Sequence, residues 1–243
     1  WNGGGCGGAV LFFNSSPKLS NLIITGNSAG AGGGAMYCFH QSNPVIKQTQ
    51  IVNNTADNTG GAVFCFNSSP HFEDVTISNN QSYFENGGGI YCAYSDPVFD
   101  NVSITNNIAD FCGGGIALHN SNPEIRNSFI DNNSAAYGGG MYCSESNPRL
   151  YRSTIRENFA SGNGGGIVSF HKSKPHFENT EIVNNKATGE GGGIYAFVST
   201  PVFDRVTLCG NESGKNGGGM YAIYTYFIMV NSVVWQNNPQ QLY

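Results

Sequence analysis

The chain has 243 residues, 34 of them glycine, with 39% hydrophobic residues, only 11% charged residues and a formal net charge of −5. That charge content is under half the roughly 25% of an average domain, and with so many hydrophobic residues it excludes a disordered polyelectrolyte. A sparsely charged, acidic chain carries no basic patch for nucleic acid, and no apolar run reaches the ~20 residues of a helical membrane span.

Taken in chain order, the first unit has a glycine corner at Gly7, an alternating run Val10 to Phe13, Pro17, a run around Leu19, a run around Ile24, and Asn27. The second unit repeats it with Gly33, Met36 to Phe39, Pro44, Ile46, Ile51 and Asn54, and the same order continues to the end. Prolines fall at 17, 44, 70, 97, 123, 148, 175 and 201, in steps of 25 to 27 residues. Asparagines keep the same rhythm at Asn27, Asn54, Asn80, Asn107, Asn133, Asn158, Asn185, Asn211 and Asn237. Short period-2 runs between glycine, proline and asparagine predict strands and leave no room for a helix. Stacked units of this size predict an all-β fold, a right-handed parallel β-helix solenoid of about nine coils, each of 25–27 residues. Residues 1–243 form one such solenoid, expected to be a mature fragment or slice of a longer precursor. Trp1-Asn2 matches Trp235-Gln236-Asn237 in register, so the chain is expected to begin partway through a coil, and neither end shows a polar or helical cap.

The alternation assigns faces. Ile90 and Cys92 point inward with their equivalents in every unit, as do Phe99 after the proline and Ile104 in the third run. Glycine is expected where the chain turns at positive φ or where backbones approach closely. The asparagines at the opposite corner are expected to take the left-handed conformation and to form a ladder, each amide donating to and accepting from its neighbours.

The pairing of GGA[VM] (Gly7 to Val10, Gly33 to Met36, Gly60 to Val63) with I-x-x-N (Ile77 to Asn80, Ile104 to Asn107) resembles the repeats of chlamydial polymorphic outer-membrane proteins. More broadly the chain is similar to the pectin-lyase-like β-helix repeats of bacterial surface and secreted proteins. That resemblance implies an adhesin, a passenger or a surface-layer part, located outside the cell or on its surface. The chain departs from it where the phenylalanine of F-x-x-N is Ile, Leu or Val.

The same resemblance requires a search for catalytic carboxylates. Glu73, Asp100 and Arg126 share one outward slot of three successive coils, with Asp74 beside them, and Glu178 and Asp204 repeat the pattern next to Arg205. Carboxylates ~5 Å apart could share a cation, which makes Glu73 and Asp100 the weak metal candidates. Opposite charges alternating down a sheet are also ordinary surface decoration, and no catalytic residue is assigned. The five histidines occupy different slots, and no cofactor motif is present. Of seven cysteines, Cys38, Cys65 and Cys92 stack at a spacing unsuited to disulfides and are expected to be buried thiols. Cys6, Cys112 and Cys209 occupy corner or outward slots where they could be exposed.

The outward slots of the first strand are the most distinctive. They place Tyr37, Phe39, Phe64, Phe66, Tyr91, Tyr142, Phe170, Tyr195, Phe197 and Tyr221 in two columns, whereas the outward slots of the third strand are mixed and largely polar. Such a patch exceeds what a soluble monomer normally exposes. Self-association or another surface protein is the expected partner, with a glycan as the other candidate. The functional expectation is an extracellular structural or adhesive element, assembling through this face and the coil ends into filaments. The alternative is a secreted protein that binds or cleaves polysaccharide in the manner of a pectate lyase.

Overall fold

The computed structural model describes residues 5–243. The matched Trp1-Asn2 pair lies outside the described residues. Every coil lays each of its strands on the same strand of the coils above and below. Among the described residues this gives three parallel sheets of nine strands and a fourth of eight. The first sheet comprises Val10–Phe13, Met36–Phe39, Val63–Phe66, Ile90–Ala93, Ile116–His119, Met141–Ser144, Ile167–Phe170, Ile194–Phe197 and Met220–Ile223. The second runs from Lys18–Ser20 to Ile228–Val230, and the third from Ile23–Thr25 to Val233–Trp235. These are the three runs per unit that the alternation predicts. The fourth sheet, two-residue strands from Ser28–Ala29 to Glu212–Ser213, is an addition, because two residues cannot display a period. Its inward positions are only Ala or Ser, from Ala29 through Ser82 to Ser213, and all are buried.

The interior is a set of columns. Ile90, Cys92, Phe99 and Ile104 are wholly buried, as are their counterparts in the middle coils. Like residues stack: the rings of Phe72 and Phe99 lie 5.2 Å apart at 9°, and those of Phe177 and Phe203 5.2 Å apart at 8°. Each buried side chain is worth roughly 1.5–3 kcal/mol gross. Summed along the rod, this burial is the main term that offsets the entropy of ordering the chain. Proline suits the start of the second strand, where its missing N–H is not required, while its carbonyl still joins the stack: His71 N–H donates to the Pro44 carbonyl at 2.9 Å. Glycine has two separate reasons at the corner. Gly33 takes φ +67°, and a Cβ on Gly34 would run into the carbonyls of Thr55 and Gly61 in the next coil.

The asparagine ladder is continuous. The backbone N–H and Nδ2 of Asn80 both donate to Asn107 Oδ1, at 3.0 and 2.9 Å, and Asn107 does the same to Asn133 at 2.9 and 3.0 Å. The series extends from Asn27 to Asn237, where Gln241 Oε1 accepts the last pair of bonds. The left-handed backbone, expected on these residues, belongs to their predecessors. Asn53, Asn79, Asn106 and Asn184 have φ +56°, and Asn132 has φ +54°. The turn is completed one residue early, so that the ladder residue can lead into the fourth sheet with its amide inside. A second stack lies at the corner after the first sheet. There Ser68 N–H donates to Ser95 Oγ and Ser95 N–H to Ser121 Oγ, each at 3.1 Å.

Asn107→Ala leaves the Asn80 N–H and the Ile77 carbonyl without their buried partners. The expected loss is about 2–4 kcal/mol in a denaturant titration, since each unsatisfied buried group costs ~1–3 kcal/mol. Val198 is β-branched yet holds φ +48° at the corner where Asn14, Asn67 and Asn120 take the same conformation. Val198→Asn is therefore expected to raise stability by about 1 kcal/mol, read as an increase in Tm.

Candidate functional site: the ring-bearing face of the first sheet

Burial alternates along the first sheet, and all ten rings named above are half-buried on its outward side. They shield one another. Ring centroids are 4.7 Å apart for Tyr37 and Phe64, 5.3 Å for Phe64 and Tyr91, 5.5 Å for Phe170 and Phe197, and 5.7 Å for Tyr195 and Tyr221. Tyr243 extends the column, 5.0 Å from Tyr221 at 9°. Burial raises the phenol of Tyr37 to about 12 and pushes those of Tyr91, Tyr142 and Tyr195 above their ordinary value.

The columns are broken in the middle of the rod, where Ala93, Ala117 and Val168 stand in ring slots and are themselves buried. Each break is a hollow. One of about 180 Å³ lies over Ala117 between Tyr91 and Tyr142, and one of about 300 Å³ lies over Val168 between Tyr142 and Tyr195. A third, about 370 Å³, lies over Ala93 between Phe66, Tyr91 and Tyr94. The rims are aromatic too: Phe111 and Tyr137 meet edge to face at 5.6 Å on one side, and Tyr94 is 53% exposed on the other. The face is thus a rimmed trough with three depressions. Its rims come from loop rings that carry no period, and the sequence signals them only as apolar residues in otherwise polar loops.

The carboxylate candidates lie on the second sheet, in one register, with Glu73 beside Asp100 and Asp100 beside Arg126. Lys47 Nζ holds Glu73 at 2.6 Å and Arg126 Nε holds Asp100 at 3.0 Å, so the two acids turn to opposite neighbours. Asp74 accepts from Asn101 at 2.7 Å, and Arg205 binds both Glu178 and Asp204. Partly exposed pairs of this kind contribute little stability. They do consume the charge that a cation or a sugar acid would need.

All seven cysteines are free thiols. Cys112, expected in a corner or outward slot where it could be exposed, is instead buried at 4% exposure against Tyr142 and Phe111. Its loop folds over the sheet edge, and burial pushes its thiol up to about 12. Cys38, Cys65 and Cys143 are also raised, Cys38 mainly through a bond to Cys65 and Cys143 through burial. At the far end of the rod the expectation of an uncapped coil is modified. Gln240 to Tyr243 lie back on the last coil, with Ala222 N–H donating to the Tyr243 carbonyl at 2.8 Å. Beside them Ile228, Val233 and Trp235 remain more than half exposed.

The family model described as the right handed beta helix region matches residues 72–238, and the chain belongs to that family. The match covers more than two thirds of the sequence and gives the coil the hand expected for parallel crossovers. No curated protein and no solved structure matches the chain. The family contains both enzymes and non-enzymes, so membership assigns the fold and leaves the task to the surfaces just described.

Two outcomes are expected for the titrating groups. A folded-state pKa raised above the unfolded value keeps its full contribution below the ordinary 9.0 of thiols and 10.0 of phenols. Above those values the unfolded chain releases protons that the folded chain retains, so Tm should be level from pH 6 to 8 and fall progressively at higher pH. In a thiol-labelling assay at pH 8, Cys6 and Cys209 should react first in the native protein, and all seven only after unfolding.

Proposed function

We propose that the protein is an extracellular or cell-surface structural rod. It adheres through the aromatic face of its first sheet and through its coil ends, and joins into filaments where ends meet. One observation carries this reading: rings stand in the outward slots of one sheet in nearly every coil, while the third sheet's outward slots are mixed, with half-buried Thr76, Ser103, Thr154 and Thr207 lying among exposed Ile23 and Phe129. An aromatic strip of this length is costly to hydrate and gains most from being covered.

The polysaccharide reading rests on a different observation, the Glu73–Asp100 register beside Arg126. It is weaker, because each acid already holds a cation. If it is right, a polyuronide panel will show cleavage that Asp100→Ala abolishes. The association reading is tested by electron microscopy and light scattering of the purified protein. Phe66→Glu, Tyr91→Glu and Phe197→Glu together should keep the strand signal in circular dichroism and dissolve the assemblies. Assemblies that survive all three charges would remove the face as the contact.

A further inference from the structure

The first outward column of the aromatic sheet reads Phe64, Tyr91, Ala117 and Tyr142 in four successive coils. Where rings occupy adjacent coils, as in Tyr37 and Phe64 or Tyr195 and Tyr221, their centroids lie 4.7 to 5.7 Å apart. Tyr91 and Tyr142 are two coils apart, about 9.6 Å at ~4.8 Å per coil, with Ala117 as the floor between them. That distance equals two such contacts in succession. One flat ring set over Ala117 would touch a tyrosine on each face, within the ~4.5–7 Å of offset stacking. The room agrees with this. The hollow measures about 180 Å³, and an apolar cavity of ~150 Å³ is enough for benzene.

The two edges of the hollow are polar in different ways. On the side of the glycine corner Asn86 and Phe111 line it, and Asn86 Oδ1 is buried without a hydrogen-bond partner. An amide oxygen held in that state is unfavourable until a donor reaches it. On the far side His119 and Ser144 stand in register on neighbouring coils. Asn120 Nδ2 donates to His119 Nε2 at 3.0 Å, which puts the imidazole proton on Nδ1. No carboxylate, lysine or arginine lines the hollow.

We infer that the hollow over Ala117 is a binding site for a neutral planar aromatic ring with an N–H or O–H on its edge, a ligand of the indole or phenol class. Tyr91 and Tyr142 sandwich the ring, Asn86 Oδ1 accepts its edge proton, and His119 and Ser144 bound its other edge. A charged ligand finds no counter-ion here. A sugar ring fits less well, because its hydroxyls point outward all round while Ala117, Leu118, Phe111 and Cys112 offer them no partner. The neighbouring hollow over Val168 supplies a contrast. Asn163 lines it and precedes Gly164 as Asn86 precedes Gly87, yet its Oδ1 already accepts from the Glu190 N–H at 2.9 Å. The unpaired acceptor therefore singles out one hollow. The inference concerns single rods and does not rest on the association reading.

The test is a titration of the purified protein, followed by NMR chemical shifts, with indole and with benzofuran, the same bicycle without the N–H. Indole is expected to bind one per chain with a Kd of about 0.1–1 mM, and benzofuran about tenfold more weakly. Asn86→Ala should bring indole down to the affinity of benzofuran and leave benzofuran unchanged. The fold should tolerate it, since Asn86 Oδ1 bonds to nothing in the chain. Ala117→Tyr fills the hollow from within and should abolish binding of both probes, with circular dichroism confirming the coil. Tyr195 and Tyr221 show that the coil accepts such rings on adjacent strands. A capped Gly-Trp-Gly peptide distinguishes the two sources of the ring. Binding equal to indole identifies a tryptophan side chain, binding of indole alone identifies a free small molecule, and either supports the site. Indole held no more tightly than benzofuran, or held equally by the folded Ala117→Tyr protein, overturns it, as does the absence of shifts at several millimolar of either probe. Methyl β-glucoside bound in place of indole overturns the aromatic class. A protein that assembles yet binds no indole removes this inference and leaves the association reading standing.

Discussion

The constraint on which this molecule depends is in-register stacking of parallel coils about 4.8 Å apart. It obliges each position to live with its own kind above and below, and so selects side chains by their tolerance of self-contact. An asparagine amide both donates and accepts, so the ladder from Asn27 to Asn237 continues without an orphan. Isoleucine and phenylalanine stack at van der Waals distance, and glycine lets carbonyls of adjacent coils pass where no Cβ fits. Charge cannot repeat in this way, because like charges at this distance repel. The chain therefore carries few charges, and most of those on the sheets face an opposite one: Lys47 with Glu73, Asp100 with Arg126, Asp131 with Arg156, and Lys186 with Glu212.

The same constraint explains why an aromatic face can exist on a folded rod. Rings in one column cover each other, so Tyr37 and Phe64 are half-buried by stacking before any partner arrives. Stacking alone would favour unbroken columns. The alanines at 93 and 117 and the valine at 168 give up ring contacts along the rod and leave hollows in the centre of the face. That sacrifice has no compensation inside the chain, since the hollows are open to water.

The candidate acids and the stacked thiols among the described residues are tied to neighbours or buried. The acids nearest to a catalytic pattern, Glu73 and Asp100, spend their charge on Lys47 and Arg126. The buried thiols of Cys38, Cys65 and Cys143 have their pKa values raised, which disfavours the nucleophilic thiolate. The β-helix holds surface features at a fixed rise, and its informative variation lies in which residue occupies each repeat of a slot.

The sequence by itself determined the coil count, the three longer strands of each coil, the inward columns and the asparagine ladder. Each of these is written as a period, and a period repeated nine times along a chain is readable without coordinates. The fourth sheet, the left-handed turn one residue before each ladder asparagine, the burial of Cys112 and the cap made by Gln241 were decided by tertiary structure alone. Each depends on where a loop or a single residue comes to lie on the coil beside it, and a feature that occurs once, or spans only two residues, leaves no rhythm to read. The trough over the first sheet belongs to both. Its rings, and the small residues Ala93, Ala117 and Val168 that break them, were legible as columns, but its rims came from loop rings such as Phe111 and Tyr137, where contacts between residues distant in the chain set the shape.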